Sequence, residues 1–317
     1  MFYCLKFTFL LSLLVLVACY KVPSDYLAPL KDEKNFIQDI YSHAEDKIQG
    51  ENAEIDDIFS YDKKMHISQK SSDDKRLNVI KKYEVTWLGF HVGDLFIKIK
   101  SEEQDGEAFS RMQVIIRSYG LARKISGYQS DTQALIKYKG KGKYLPHEYA
   151  TSFALRKKRR DITFLYSEDG SRIIKETNVP PEKRWKRKEV EVEEKLNTYD
   201  PLTLSLMARE KLITAVKLGE KEFTMSLYDG RRRTDFEFNI EDYTKKEKLI
   251  NVTFTEIPIS GYTNNEMKKI KSRKPMIRLF ISPENYFPIR AEGESTIGTA
   301  IIKLKDECST LKECLDS

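Results

Sequence analysis

From about residue 83 onward the hydrophobic positions alternate with polar ones. Phe223, Met225 and Leu227 fall on one side of an extended chain, as do Phe236, Phe238 and Ile240, and again Ile277, Leu279 and Ile281. The runs "FSRMQVIIRS", "KYLPHEYATSFAL", "RDITFLYSEDGSRIIKET", "KLINVTFTEIPI" and "FPIRAEGESTIGTAIIKLK" have the same β-rich texture. Asp169-Gly170 and Asp229-Gly230 lie between paired runs, which is a hairpin signal. In "YEVTWLGFHVGDLFIKIK", Gly89 and Gly93 permit a tight reversal or a bulge. The pattern predicts a mainly β chain: a large antiparallel meander of about ten or more strands. A sheet of that size closes into a barrel, a half-barrel or a sandwich, because a flat open sheet leaves its edges unpaired.

Two stretches carry helical spacing instead. "YDPLTLSLMAREKLI" opens on Asp200 as an N-cap with Pro201 at the first helical position, and predicts one covering helix near 200–214. Leu202, Leu206, Arg209 and Ile213 recur on one of its faces, where Arg209 is expected to snorkel to water rather than to be buried and paired. Upstream, Phe36, Ile37, Ile40, Tyr41, Ala44 and Ile48 make an amphipathic helix over 35–48, and the polar residues 69–76 read as a linker. The organisation expected is a signal segment over 1–18, a helical tether over 19–80, a β domain over 81–305 and a tail over 306–317.

The amino terminus decides the compartment. Residues 7–18 are an apolar run behind Lys6, too short for the roughly 20 residues of a membrane-spanning helix. They have the parts of a secretory signal peptide. Its end, Leu16-Val17-Ala18-Cys19, resembles the lipobox of bacterial lipoproteins, which implies an acylated Cys19 as the new first residue. An ordinary cleaved signal and a retained anchor helix are the alternatives. Tyr20 after the anchor, in place of Asp, implies the outer membrane by resemblance to the enterobacterial sorting rule.

Four cysteines remain to be placed. Cys4 leaves with the signal and Cys19 is consumed by the lipid, so Cys308 and Cys314 are left. In an oxidising envelope they are expected to pair. On a straight helix they would stand about 9 Å apart, so the bridge predicts a tight loop rather than a helix.

Charge adds a membrane surface and removes nucleic acid. The net charge is +6; residues 19–82 carry 11 Lys+Arg against 13 Asp+Glu, so the body from residue 83 is basic. That suits an anionic membrane and is too mild to demand nucleic acid. A mean hydropathy of −0.54 describes a body soluble after processing. The basic runs at 155–161 and 183–188 offer Arg156, Lys158, Arg160, Lys183, Arg184, Lys186 and Arg187 as contacts to an anionic surface, and Arg231 to Arg233 form a third run. Solvated strand charge guarding an edge is the plainer reading of such runs.

Taken together, the Trp87-Leu88-Gly89 and Gly93 cluster, "YLPHEYATSF", Asp200-Pro201-Leu202, Asp229-Gly230-Arg231 and Pro288 resemble the bacterial domain-of-unknown-function family 3108, over residues 83–305. The resemblance implies an exported envelope protein of a Gram-negative bacterium and brings no activity with it. The residues bring none either. His43, His66, His91 and His147 have no metal-binding spacing, and no G-x-S-x-G elbow or glycine-rich phosphate loop is present. His91 beside Asp94 reads as a surface turn residue, with a His–Asp pair as the sharper alternative. No catalytic residue, cofactor or metal is therefore expected. What remains is a non-enzymatic β domain that binds a lipid-like or anionic envelope ligand, or else a structural partner filled by its own side chains; a hydrolase, for which no converging polar cluster can be named, is the third and least favoured reading.

Overall fold

In the computed structural model, which describes residues 78–316 apart from 121–122, 124–127, 156–157, 181–187, 242–248, 272–276 and 296–297, the alternating runs become thirteen strands of one antiparallel sheet. The first meander holds β1 (Val79–Trp87), β2 (Phe90–Gln104), β3 (Glu107–Ser118), β4 (Gln129–Tyr138), β5 (Tyr144–Leu155), β6 (Lys158–Tyr166) and β7 (Ile173–Val179). The second holds β8 (Glu222–Tyr228), β9 (Arg233–Ile240), β10 (Ile250–Ser260), β11 (Ile277–Ile281), β12 (Pro288–Ser295) and β13 (Gly298–Glu307). Pairing of β1 with β13 joins the two, which leaves β7 and β8 as the edges. The signal segment, Cys19, the helix expected over 35–48, Arg156, Lys183, Arg184, Lys186 and Arg187 lie outside the described residues, as does the side chain of Lys158.

The two hairpin signals both mark reversals, between β6 and β7 and between β8 and β9. The β1–β2 turn is tighter. Leu88 and Gly89 are both left-handed, with φ of 52° and 81°, as a two-residue type I′ turn demands. Gly93 serves a close approach: a Cβ there would sit 2.5 Å from the Arg117 carbonyl of β3.

The sheet does not close through its ladder. Its edges meet instead through side chains and through the segment between them. Tyr228 Oη of β8 donates to Glu176 Oε1 of β7 at 2.8 Å, and Lys195 Nζ reaches Glu176 Oε2 at 2.9 Å. Asn178 Nδ2 donates to the Gly230 carbonyl at 3.3 Å, and Phe164 stacks on Tyr228 with ring centroids 5.6 Å apart. Asn197 N–H bonds the Ser171 carbonyl beside β7, while Tyr199 makes a single parallel bridge to Leu227 of β8. Of the three closures expected, the result is a curled sheet with an unladdered seam, not a barrel or a two-sheet sandwich.

The covering helix forms as α1 (Pro201–Leu218). Asp200 caps it, accepting from Leu202 N at 2.9 Å, Thr203 N at 3.0 Å and Thr203 Oγ1 at 2.5 Å. Gly219, with φ of 73°, ends it in the left-handed conformation. Its buried face runs through Leu202, Leu206, Ala208, Leu212 and Ala215, which leaves Ile213 only half-buried. Two short helices follow, α2 (Asn264–Lys271) and α3 (Leu311–Asp316). Cys308 and Cys314 are bonded, with Cα atoms 5.6 Å apart. The tight-loop expectation is corrected: Cys314 stands on α3, and the bond is possible because the chain turns at residues 309–310 before the helix begins.

One buried turn locks the β8–β9 end. Asp229 accepts from Arg231 N at 2.9 Å, Arg232 N at 2.8 Å and Arg232 Nη2 at 2.7 Å. Arg231 and Arg232 are buried, and Arg233 is held by Asp235, Ser226 and the Glu194 carbonyl. This run is a structural knot and not a surface patch. Gly261 packs against it so closely that a Cβ would lie 2.1 Å from the Arg231 carbonyl, at a φ of +73°. Gly261→Ala is expected to destabilise the domain by about 2–4 kcal/mol, read as a fall in the urea midpoint.

Burial of Asp200 generates a pH dependence. Desolvation raises its carboxyl from the ordinary 3.8 to about 6, against the hydrogen bonds from Thr203 and Leu202 that favour the ionised form. The folded state therefore holds a proton that the unfolded chain releases above pH 3.8, and this contribution to stability is lost as pH rises from about 4 to 6. Asp200→Asn keeps an N-cap without the charge. It is expected to exceed the parent in stability at pH 7.5 by about 1–3 kcal/mol and to match it near pH 4, in denaturant titrations at both pH values.

Candidate functional site

The concave face of the sheet and α1 do not fill the space between them. From β2 and β3, Ile97, Ile99 and Met112 point inward, held in register because Ile99 pairs with Met112. From the second meander come Phe223, Phe238, Val252, Leu279 and Ile281. These are the positions that alternation marks, since Phe223 pairs with Phe238 and Val252 with Leu279. The helix contributes Ser205, Leu206, Ala208, Arg209 and Leu212. An apolar cavity of about 80 Å³ is left between them.

The β11–β12 loop closes one side with Tyr286, Phe287 and Pro288. Its turn is built locally: Tyr286 N–H donates to the Ser282 carbonyl, Ser282 N–H to the Phe287 carbonyl, and Phe287 N–H to Asn285 Oδ1 at 3.0 Å. Arg209 ties α1 to this loop. Its Nε and Nη2 donate to the Asn285 carbonyl at 3.1 and 2.9 Å, and its Nη1 pairs with Glu210. The snorkelling expected for Arg209 is corrected, since the side chain is 17% exposed and paired. Lys81, buried on β1, pairs with Glu307 and lies 5.1 Å from the Phe287 ring centroid. The Arg209 guanidinium lies 5.2 Å from the same centroid. Nearby, Tyr83 Oη donates to the Pro288 carbonyl at 3.0 Å, and burial, with Glu307 adding to it, holds that phenol well above its ordinary pKa.

Among the remaining candidates, Arg160 and His91 have described side chains. Arg160, read as an anionic-surface contact, turns inward on β6 and donates to Asn178 Oδ1 at 3.1 Å, because its alternation parity points it into the domain. His91 is 46% exposed, as a turn residue would be, and also bonds Asp94 Oδ1 at 2.8 Å. Asp94 is buried near Lys82, at 3.7 Å. The Tyr119 ring lies 5.5 Å from the His91 ring, tilted by 42°, its pKa raised by burial and then by Asp94. The pair of His91 and Asp94 lies within β2, and Asp94 carries the contact across to Lys82 of β1. Among the described residues no group of three or more His, Cys, Asp or Glu side chains is placed to hold a metal. Tyr286 and Phe287 were missed in the sequence; two aromatics between Asn285 and Pro288 in an otherwise polar loop were the available signal.

With this arrangement in place, comparison assigns the chain. A family model for a protein of unknown function, DUF3108, matches residues 82–305. The chain belongs to the DUF3108 family. No curated protein matches it. Among solved structures, this DUF3108 chain is similar to a β-barrel-like protein of domain-of-unknown-function family DUF1849 from Brucella abortus, at 12% identity and a TM-score of 0.43, over 73% of this chain and 98% of that one. It also aligns with a DUF1329 family protein from Desulfovibrio piger at 11% identity and a TM-score of 0.23, over 74% and 85% of the two chains. The DUF3108 match covers α1 and nearly all of both meanders, and so includes every described residue that lines the cavity.

A filled core and an open cavity respond oppositely to added volume. Adding methylenes to a packed core costs about 1–3 kcal/mol, whereas filling a void commonly adds about 0.5–2 kcal/mol. Ala208→Leu is expected to leave thermal stability unchanged or raised.

Proposed function

We propose that this protein is an envelope lipoprotein, carried on an acylated Cys19, whose β domain holds a lipid-like molecule between α1 and the sheet. The apolar cavity carries the reading: aliphatic and aromatic walls meet there without filling the space. Its volume is well below the roughly 300–1,000 Å³ of sites that enclose a drug-sized ligand. A narrow, flexible acyl chain suits such a slot better than a bulky ring system. The tether of residues 19–80 then keeps the domain at a membrane surface, in this reading the periplasmic face of the outer membrane, where acyl chains are supplied. No chemical step is assigned to the domain.

A scaffold role in the envelope is the second reading, favoured by the β1–β2 turn, which exposes Leu88 and leaves Phe90 73% accessible. Native mass spectrometry of the full chain, isolated from its own envelope fraction with the co-extracted lipids analysed in parallel, separates the two. The expected result is a stoichiometric acyl-chain adduct whose occupancy falls at least tenfold in Ala208→Leu. A clean apo mass under gentle conditions overturns the lipid reading and directs attention to partners crosslinked through Phe90.

A further inference from the structure

The cavity has one charged wall. Of the described residues that line it, Arg209 alone carries a formal charge. Its guanidinium has five N–H donors in a planar fork. Three are engaged, two by the Asn285 carbonyl and one by Glu210, so two remain for a further acceptor. The group is held in place from both ends: α1 supplies the backbone, and the β11–β12 loop fixes the guanidinium through Asn285. Lys81, which pairs with Glu307 and does not line the cavity, lies against the same Phe287 ring. Ser205 does not compete for a ligand, because its Oγ donates to the Pro201 carbonyl at 3.0 Å.

An apolar slot with a preorganised guanidinium at one end matches one class of molecule. We propose that the ligand is a single-chain fatty acid, its chain between α1 and the sheet and its carboxylate accepting from Arg209. This rests on the acyl-chain reading above and specifies the head group. A carboxylate fits the planar fork, and charge-assisted bonds of this kind are about twice as strong as neutral ones. The small volume admits part of one chain, which disfavours two-chain phospholipids.

The test is displacement of cis-parinaric acid fluorescence from the full chain by palmitate and, in parallel, by 1-hexadecanol, which has the same chain without the charge. Palmitate is expected to displace the probe at a concentration at least tenfold lower than the alcohol. Arg209→Gln is expected to bring the two competitors together, and Arg209→Lys, which keeps the charge and loses the fork, to retain part of the preference. Equal displacement by acid and alcohol on the parent protein overturns the head-group assignment while leaving the acyl-chain reading in place. So does a preference that survives intact in Arg209→Gln. Absence of probe binding, with displacement by neither competitor, overturns the acyl-chain reading and this assignment with it. Because Arg209 anchors a loop, Arg209→Gln could fail to fold; the comparison of acid with alcohol on the parent protein then decides alone.

Discussion

The pairing of β1 with β13 is the contact on which the sheet depends. Each meander is assembled from hairpins of near neighbours, and residues of both line the one cavity under α1. Only when Val85 meets Ile302 and Tyr83 meets Leu304 do the two halves share one concave face. The ion pair of Lys81 with Glu307 spans 226 residues of sequence, and contacts of such separation carry a large loop-closure cost that slows folding. The carboxyl-terminal elements reinforce the same junction. Cys308 N–H bonds the Ile80 carbonyl, and the disulfide to Cys314 follows at once, so the last strand is fastened where it meets the first.

Much of this was legible as alternation. Where the inward residues are large, as in β9 with Phe236 and Phe238 or β11 with Ile277, Leu279 and Ile281, the period of two is plain. β4 escaped notice because its inward positions begin Ser130, Thr132, Ala134 and become large only at Ile136. Thr132 and Thr151 satisfy each other there at 2.8 Å, a polar contact no hydrophobic pattern announces. The helix α2 was also missed, although Thr263 and Glu266 form a reciprocal capping box, with Thr263 N–H donating to the Glu266 carboxylate at 2.8 Å and Glu266 N–H to Thr263 Oγ1. There the signal was present in the sequence, and weak hydrophobicity hid it.

The candidate site was legible only in part. Phe238 could be placed on an inner face from spacing alone, and the helix over it from Asp200 and Pro201. The roles of the arginines could not. Whether Arg209 reaches water depends on the Asn285 carbonyl, which lies 76 residues away and comes within reach only in the folded sheet. Whether Arg231 to Arg233 form a patch depends on Asp229, whose carboxylate draws the turn inward. In both cases a local run of charge acquires its meaning from one acceptor, and alternation carries no information about acceptors.

The seam between β7 and β8 gives the domain an unequal mechanical character. Around the rest of its circumference, neighbouring strands are joined by ladders that yield only when several backbone bonds break together. At the seam the load falls on single bonds of Tyr228, Lys195, Asn178 and Asn197, on the Phe164–Tyr228 stack and on one isolated bridge at Tyr199. Such bonds are worth on the order of 1 kcal/mol each and can be released one at a time. The sheet is thus a bracelet with a clasp: twelve ladders carry the rest of the ring, and the segment leading into α1 supplies part of the fastening.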